Sequence, residues 1–153
     1  VKGVPRLYRV IDGLALVLEE IRGENMGGPK EGKNIPATFY DALRDLVERI
    51  HGKGLAHCDL KKATNTLIGE DGEPYVIDWG ASISEREFRF PILRLIYRRF
   101  VLDDHAAIVK LKLRFIPHAV TPKERLLYQN RSAMERLVRK IRDRLREIFQ
   151  RIM

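Results

Sequence analysis

Asn65 and Asp78 bracket the segment of this sequence that can fold in the fewest ways. Two short β-rich runs, Thr66–Ile68 and Tyr75–Ile77, flank an Asp71-Gly72 pair. Asp-Gly accepts the positive φ that a tight hairpin demands, so the two runs are expected to pair antiparallel. Such a hairpin carries Asp78 back to the end of the sheet where Asn65 stands. Two side chains with oxygen donors are thereby placed together by local geometry alone.

The flanks of this hairpin hold further chemistry. Upstream runs His57-Cys58-Asp59-Leu60-Lys61-Lys62-Ala63-Thr64-Asn65, and downstream Val76-Ile77-Asp78-Trp79-Gly80. Phosphoryl transfer needs a carboxylate beside the attacking hydroxyl, a cation near the moving group and oxygen ligands for Mg²⁺. Asp59 suits the first task, Lys61 the second, and Asn65 with Asp78 the third.

These residues resemble the protein-kinase-like superfamily, whose catalytic loop reads H-R-D-L-x-x-x-N and whose metal loop reads D-F-G. His57-x-Asp59-Leu60 matches the first, and Asp78-Trp79-Gly80 matches the second with Trp for Phe. The resemblance implies ATP and Mg²⁺ as cofactors, Asp59 and Lys61 as catalytic residues, and Asn65 and Asp78 as metal ligands. It extends upstream, where Leu16–Ile21 looks like the last strand of the N-terminal lobe entering the hinge. On that alignment the backbone of Glu19 and Ile21 would bond adenine, Glu24 would meet the ribose and Leu67 would lie beneath the ring. His57 is expected to be structural, fixing the loop near Asp78, and Trp79 to fill core. Lys62 reads as a solvated charge, and His105 and His118 stand alone, without metal-ligand spacing.

The sequence departs from the family in three places. The family asparagine follows its aspartate by five positions; here Thr64 holds that place and Asn65 comes one later. Asn65 is preferred as the better neutral ligand, with Thr64 left open. No A-P-E motif or long activation segment follows Gly80, which is closer in style to the compact RIO and lipopolysaccharide (Kdo) kinase groups. Nothing ahead of Leu14 supplies G-x-G-x-x-G or V-A-I-K. With Val1 rather than Met at the start, the expectation is a truncated chain lacking most of the N-terminal lobe and inactive alone.

Elsewhere, the pattern predicts an α+β fold, and the resemblance implies that it is a kinase-like C-terminal lobe, mainly helical with short hairpins, plus the last N-lobe hairpin. One partial domain over 1–153 is expected, with lobe and hinge remnant at 1–21, motif loops at 22–85 and basic helices at 86–153. Leu7–Ile11 and Leu14–Glu20 flank Asp12-Gly13 as a hairpin, and Gly23, Gly27, Gly28, Pro29 and Gly32 read as a flexible connector. Phe39, Leu43, Leu46, Val47 and Ile50 keep helical spacing behind a Thr38/Asp41 capping box, and Gly52 and Gly54 end that helix. Asp103 or Asp104 is expected to cap a helix running to about Phe115. Thr121-Pro122-Lys123-Glu124 and Ser132–Glu135 read as further boxes, the second opening an apolar stripe from Met134 to Ile152.

Composition separates the rival classes. With 44% hydrophobic and 33% charged residues, the 153-residue chain belongs with globular domains rather than disordered ones. The single cysteine, Cys58, cannot close an internal disulfide and fits a reducing compartment, hence a cytoplasmic reading. Residues 1–85 hold 11 Lys and Arg against 14 Asp and Glu, whereas 86–153 hold 18 against 7. The basic half suits an anionic membrane surface, an acidic protein or nucleic acid, or is only a solvated face. Arg89, Arg94, Arg98 and Arg99 interleave with Phe88, Phe90, Leu93 and Leu95 as in an interfacial helix, placing the chain at the inner membrane face by analogy. The reading that follows is an ATP-dependent phosphotransferase acting on a hydroxyl of a protein or a lipid-linked sugar. Its rival is a pseudokinase or scaffold that uses the basic helices to bind; a nucleic-acid module is less favoured, since the aromatics keep core spacing.

Overall fold

The computed structural model describes residues 1–27, 35–87 and 90–129. It divides into two compact units, Val1–Ala119 and a second beginning at Val120. The first unit is α+β, with small antiparallel sheets around two helices, as the sequence pattern predicts.

Strands β1 (Leu7–Ile11) and β2 (Ala15–Leu18) form the expected hairpin, with Asp12 at φ 49° and Gly13 at φ 68° in its turn. Its apolar side chains stay in solvent: Leu14 is 93% exposed, and Tyr8 and Leu16 more than 60%.

The stretch from Gly23 is not a plain connector. Gly23–Asn25 forms β3, antiparallel to β5 (Thr66–Gly69), which pairs in turn with β6 (Pro74–Val76). The reason lies in Gly23 itself, where a Cβ would stand 2.3 Å from the Ile68 carbonyl oxygen. Only a hydrogen permits that approach, so a residue that reads as a loop signal admits a strand. Gly28, Pro29 and Gly32 lie outside the described residues.

The β5–β6 hairpin registers Thr66 with Val76 and Leu67 with Tyr75. Its turn closes through Gly72 N–H to Gly69 O (2.9 Å) and Glu73 N–H to Asp71 Oδ1 (3.1 Å).

Helix α1 (Ala37–His51) buries Phe39, Tyr40, Leu43, Leu46, Val47 and Ile50. They meet Leu60, Val76, Ala107, Ile108 and Leu111 in one core. Leu43 and Leu46 are at most 1% exposed, so cutting either back to alanine would cost about 2–5 kcal/mol. The Thr38/Asp41 box is not made. Pro36, with φ −66° and ψ 151°, is the N-cap, so Thr38 already stands in the first turn and its hydroxyl is too late to cap.

Helix α2 spans Pro91–Phe115, and here the sequence reading needs correction. Pro91 at the first helical position starts it, twelve and thirteen residues before the two acids expected to cap it. Asp103 and Asp104 therefore sit in mid-helix. Asp103 pairs with Arg99 at 3.5 Å, and Asp104 is buried with a different task.

Two-residue strands β4 (Leu55–Ala56) and β7 (Ile83–Ser84) pair and tie the stretch after Gly80 to the entry of the motif loop. Two residues carry no periodicity, so this pair leaves no signal in sequence. In the second unit, residues 122–129 are helical. The Thr121/Glu124 box is made reciprocally: Glu124 N–H donates to Thr121 Oγ1 (3.2 Å), and Thr121 N–H to Glu124 Oε2 (2.9 Å). The Ser132–Glu135 box and the stripe from Met134 lie outside the described residues. No described helix is long and apolar enough to cross a membrane.

Candidate active site

The loop after β4 begins at His57, which is 1% exposed. Its imidazole bonds the Ile77 carbonyl through Nε2 (2.9 Å), and its Nδ1 accepts the Asp59 N–H (3.3 Å). Both bonds are met by the neutral ring protonated at Nε2. His57 thus joins the loop to the strand end preceding Asp78, the structural role its position predicts. Trp79 lies edge-on to the same ring at 4.9 Å and packs against the core.

Backbone strain concentrates here. Among the described residues, three non-glycines have positive φ: Asp12, Cys58 (67°) and Asp78 (62°), so two of the three stand in the motif loops. A left-handed residue of this kind costs about 1–3 kcal/mol and persists only where its surroundings enforce it.

At Cys58 the enforcing group is Asp104. Its carboxylate, 1% exposed, accepts His57 N–H on Oδ2 (2.7 Å), Cys58 N–H on Oδ1 (2.8 Å), and His51 Nε2 on Oδ2 (3.0 Å). Two consecutive amides turned to one anion need just such a twisted residue. Asp104 escaped the sequence reading, which offered it as a helix cap. The available signal was an acid set among Ala106, Ala107, Ile108 and Val109 on a core-facing helix.

Asp59, the next residue, has a side chain 13% exposed. Lys62 pairs directly with Oδ2, and Lys61 Nζ lies 4.0 Å from Oδ1. The hydrogen bond and charge of Lys62, then the charge of Lys61, outweigh burial and hold the Asp59 carboxyl below its ordinary range. Lys62, read from sequence as a solvated charge, is the nearer cation; Lys61 stands further off.

Asn65 is 3% exposed, and its Nδ2 donates to the Asp59 carbonyl (3.1 Å) and more weakly to Asp59 Oδ2 (3.5 Å). With the nitrogen committed to Asp59, the amide oxygen faces away, where Thr64 Oγ1 donates to it at 3.3 Å. Of the two residues weighed for this position, Asn65 is the one that reaches Asp59. The Asn65 carbonyl accepts Ile77 N–H (3.0 Å), so Asp78 begins one residue from that bond, as the hairpin geometry requires. Asp78 is exposed, and its carboxylate adds to the field that holds Lys62 protonated. An amide oxygen and an exposed carboxylate are each hard-oxygen donors of the kind that Mg²⁺ accepts. Among the described residues no cluster of three His, Cys, Asp or Glu side chains has metal-binding geometry. Two protein ligands, with phosphate and water completing the shell, are what this cation commonly accepts.

The residues assigned to nucleotide contacts are spread along the chain before α1 and on β5. Glu19 N–H bonds Arg6 O (2.8 Å), and Glu19 Oε2 accepts Arg6 N–H (3.1 Å), so both groups serve the hairpin. Ile21 is half-buried in the link to β3. Glu24 lies on β3 opposite Ile68, one step from the Asn25–Leu67 pair, which brings Glu24 and Leu67 to adjacent strands. A surface hollow of about 210 Å³ lies elsewhere, lined by Lys2, Gly3, Asp45, Arg49 and Tyr75, and includes no motif residue.

Comparison with known proteins supports a protein-kinase-like relationship. The RIO-type serine/threonine-protein kinase Rio1 of Haloferax volcanii is 37% identical over 81 residues, covering 53% of this chain and 24% of that protein. The serine/threonine-protein kinase PknD of Chlamydia trachomatis serovar D is 50% identical over 45 residues, 29% of this chain and 5% of that protein. PknD of Chlamydia muridarum is 48% identical over 45 residues. The chain thus spans about a quarter of the first relative and a twentieth of the others. No family model matches it.

Proposed function

We propose that this chain carries the catalytic and metal loops of an ATP-dependent phosphotransferase acting on a hydroxyl. The observation that supports this most is the bonding of Asp59, Asn65 and the strand end at Ile77 into one connected loop, backed by a buried carboxylate. Asp59 would orient the acceptor hydroxyl. Held ionised, it is a weak base at first and takes the proton as the oxygen bonds to phosphorus. The new O–P bond forms as the bond from the γ-phosphorus to the bridging oxygen breaks, and ADP leaves. Lys61, less tightly held than Lys62, is free to face the transferring group. Asn65 and Asp78 would hold Mg²⁺, which neutralises phosphate oxygens when bound.

The reading includes a C-terminal lobe whose N-terminal lobe is mostly absent from these 153 residues. The solvent-exposed apolar side chains of β1 and β2 support it, since such a hairpin is normally covered by further strands. On this reading the chain alone binds ATP weakly, because the parts that cradle phosphates are missing. Its compact form after Gly80 keeps the RIO and lipopolysaccharide-kinase style in play. The relatives' names make a protein serine or threonine the first acceptor to test, and a lipid-linked sugar the second.

The test is transfer from radiolabelled ATP with Mg²⁺, run on the 153-residue chain and on the longest reading frame that contains it. Asp59→Ala and Asp78→Ala are compared alongside. Labelling by the longer protein should fall by about 10²–10⁴ in Asp59→Ala and also collapse in Asp78→Ala. A folded long form that neither binds Mg·ATP nor transfers phosphate would sink the enzyme reading.

A further inference from the structure

Helix α2 turns one face of its first half to solvent, and that face is unusual in what it carries. Arg94, Leu95, Arg98 and Leu102 fall within an arc of about 100° at helical spacing. Arg94 and Arg98 are exposed, and Leu95 and Leu102 are 61% and 54% exposed. Phe90, the N-cap residue, extends the stripe at 67% exposure. From Phe90 to Leu102 this makes a band about 18 Å long.

The band contains no acid. Asp103 lies on another side of the helix and is paired with Arg99, and Asp104 is buried against the motif loop. The inner face of the helix is already committed, with Tyr97, Ala107, Ile108 and Leu111 buried. Among the described residues, then, two guanidinium groups without an acidic partner alternate with three large apolar groups on a surface that the core does not use.

We propose that this stripe docks the protein on an anionic lipid surface, with the helix axis lying in the interfacial plane. The chemistry selects that occupant. A phosphate-rich nucleic acid would engage the two arginines but give Leu95, Leu102 and Phe90 nothing to bury against, and leucine offers no stacking platform. At a bilayer interface both halves of the stripe are used. The apolar groups enter the boundary between headgroups and acyl chains, and the guanidinium groups meet anionic headgroups. The inference stands apart from the phosphotransferase reading, since it needs neither ATP nor a competent Asp59.

The experiment is co-sedimentation of the full chain with vesicles of phosphatidylglycerol and phosphatidylcholine, against phosphatidylcholine alone. Binding should require the anionic lipid. Arg94→Ala with Arg98→Ala should weaken partitioning about 30-fold, an estimate from the attraction of each basic group to an anionic surface. Leu95→Ser with Leu102→Ser should weaken it too, and that loss should persist at high salt, where the arginine effect fades. All four side chains are exposed, so circular dichroism should show every variant folded. A Leu95→Trp variant gives an independent reading, because its emission should shift to the blue and be quenched by brominated acyl chains. Vesicle binding that is absent, or indifferent to both double variants, overturns the proposal. So does salt-sensitive duplex binding that needs the arginines and ignores the leucines.

Discussion

Removing the Asp104 carboxylate should loosen the motif loop and the whole fold together. Asp104→Ala strips the partner from two backbone amides, His57 and Cys58, and from the His51 ring. With Asp104 1% exposed, water has no ready access to replace it. Hydrogen bonds to a charged group contribute about 1.5–3 kcal/mol each. The gain from no longer burying a charge offsets part of the loss, and breaking such an arrangement from one side costs about 3–5 kcal/mol overall. For a chain of this size that lowers Tm by about 6–20 °C. Asp104→Asn keeps shape and one acceptor oxygen but turns an N–H₂ toward a donor. It should therefore cost less than alanine, about 1–3 kcal/mol. Urea melts with an unchanged slope would read both values. If alanine costs less than about 1 kcal/mol, as an exposed substitution does, then the carboxylate does not hold the loop and the argument fails.

Two further expectations follow from charge. In Lys62→Ala the Asp59 carboxyl should titrate higher, back toward the ordinary aspartate value of about 3.9. Carbon-13 NMR of the side chain would follow it. Because the fold lowers this pKa, the stabilisation from ionised Asp59 is present above the ordinary value and lost as pH falls through the depressed one. An unmoved midpoint would mean that solvent screens the pair. His105 behaves in the opposite sense: burial first, and then His51, whose ring lies 5.1 Å away, hold its pKa below the usual value, against the pull of Glu48 and Asp104. The unfolded chain therefore takes up a proton that the fold resists, and stability should fall as pH drops below about 6.5. His105→Phe should flatten the change in urea midpoint between about pH 7.5 and 5.5. Parallel losses in both proteins would remove His105 from the explanation.

The sequence makes some of this legible and hides the rest for identifiable reasons. The β5–β6 hairpin and the bond from Ile77 N–H to the Asn65 carbonyl are readable because Asp71-Gly72 fixes the turn and the strands are short. The face of α1 is readable because Phe39, Leu43, Leu46, Val47 and Ile50 keep their period. Helix α2 is only half readable: Pro91 is an ordinary start signal, but a basic and aromatic run after it masks the core-facing pattern. The β4–β7 pair is too short to show periodicity, and β3 is hidden by a glycine whose missing Cβ is the condition of its pairing. At the site, the loop residues are legible as a set, whereas their support is not. Asp104 stands far from them in sequence, and Lys62 differs from Lys61 only in which way the loop turns.

Asp104 also fixes when the loop can exist. Its three donors lie 46, 47 and 53 positions away along the chain. Before α2 docks, nothing local rewards Cys58 for its left-handed conformation, and closing so long a loop must come first. The motif loop is therefore expected to form late in folding, as the α1–α2 core assembles rather than as a nucleus for it. In the native state the same dependence runs backwards. The amides of His57 and Cys58 belong with the most slowly exchanging class, released when the core opens, although they sit in a loop beside solvent-exposed Asp78.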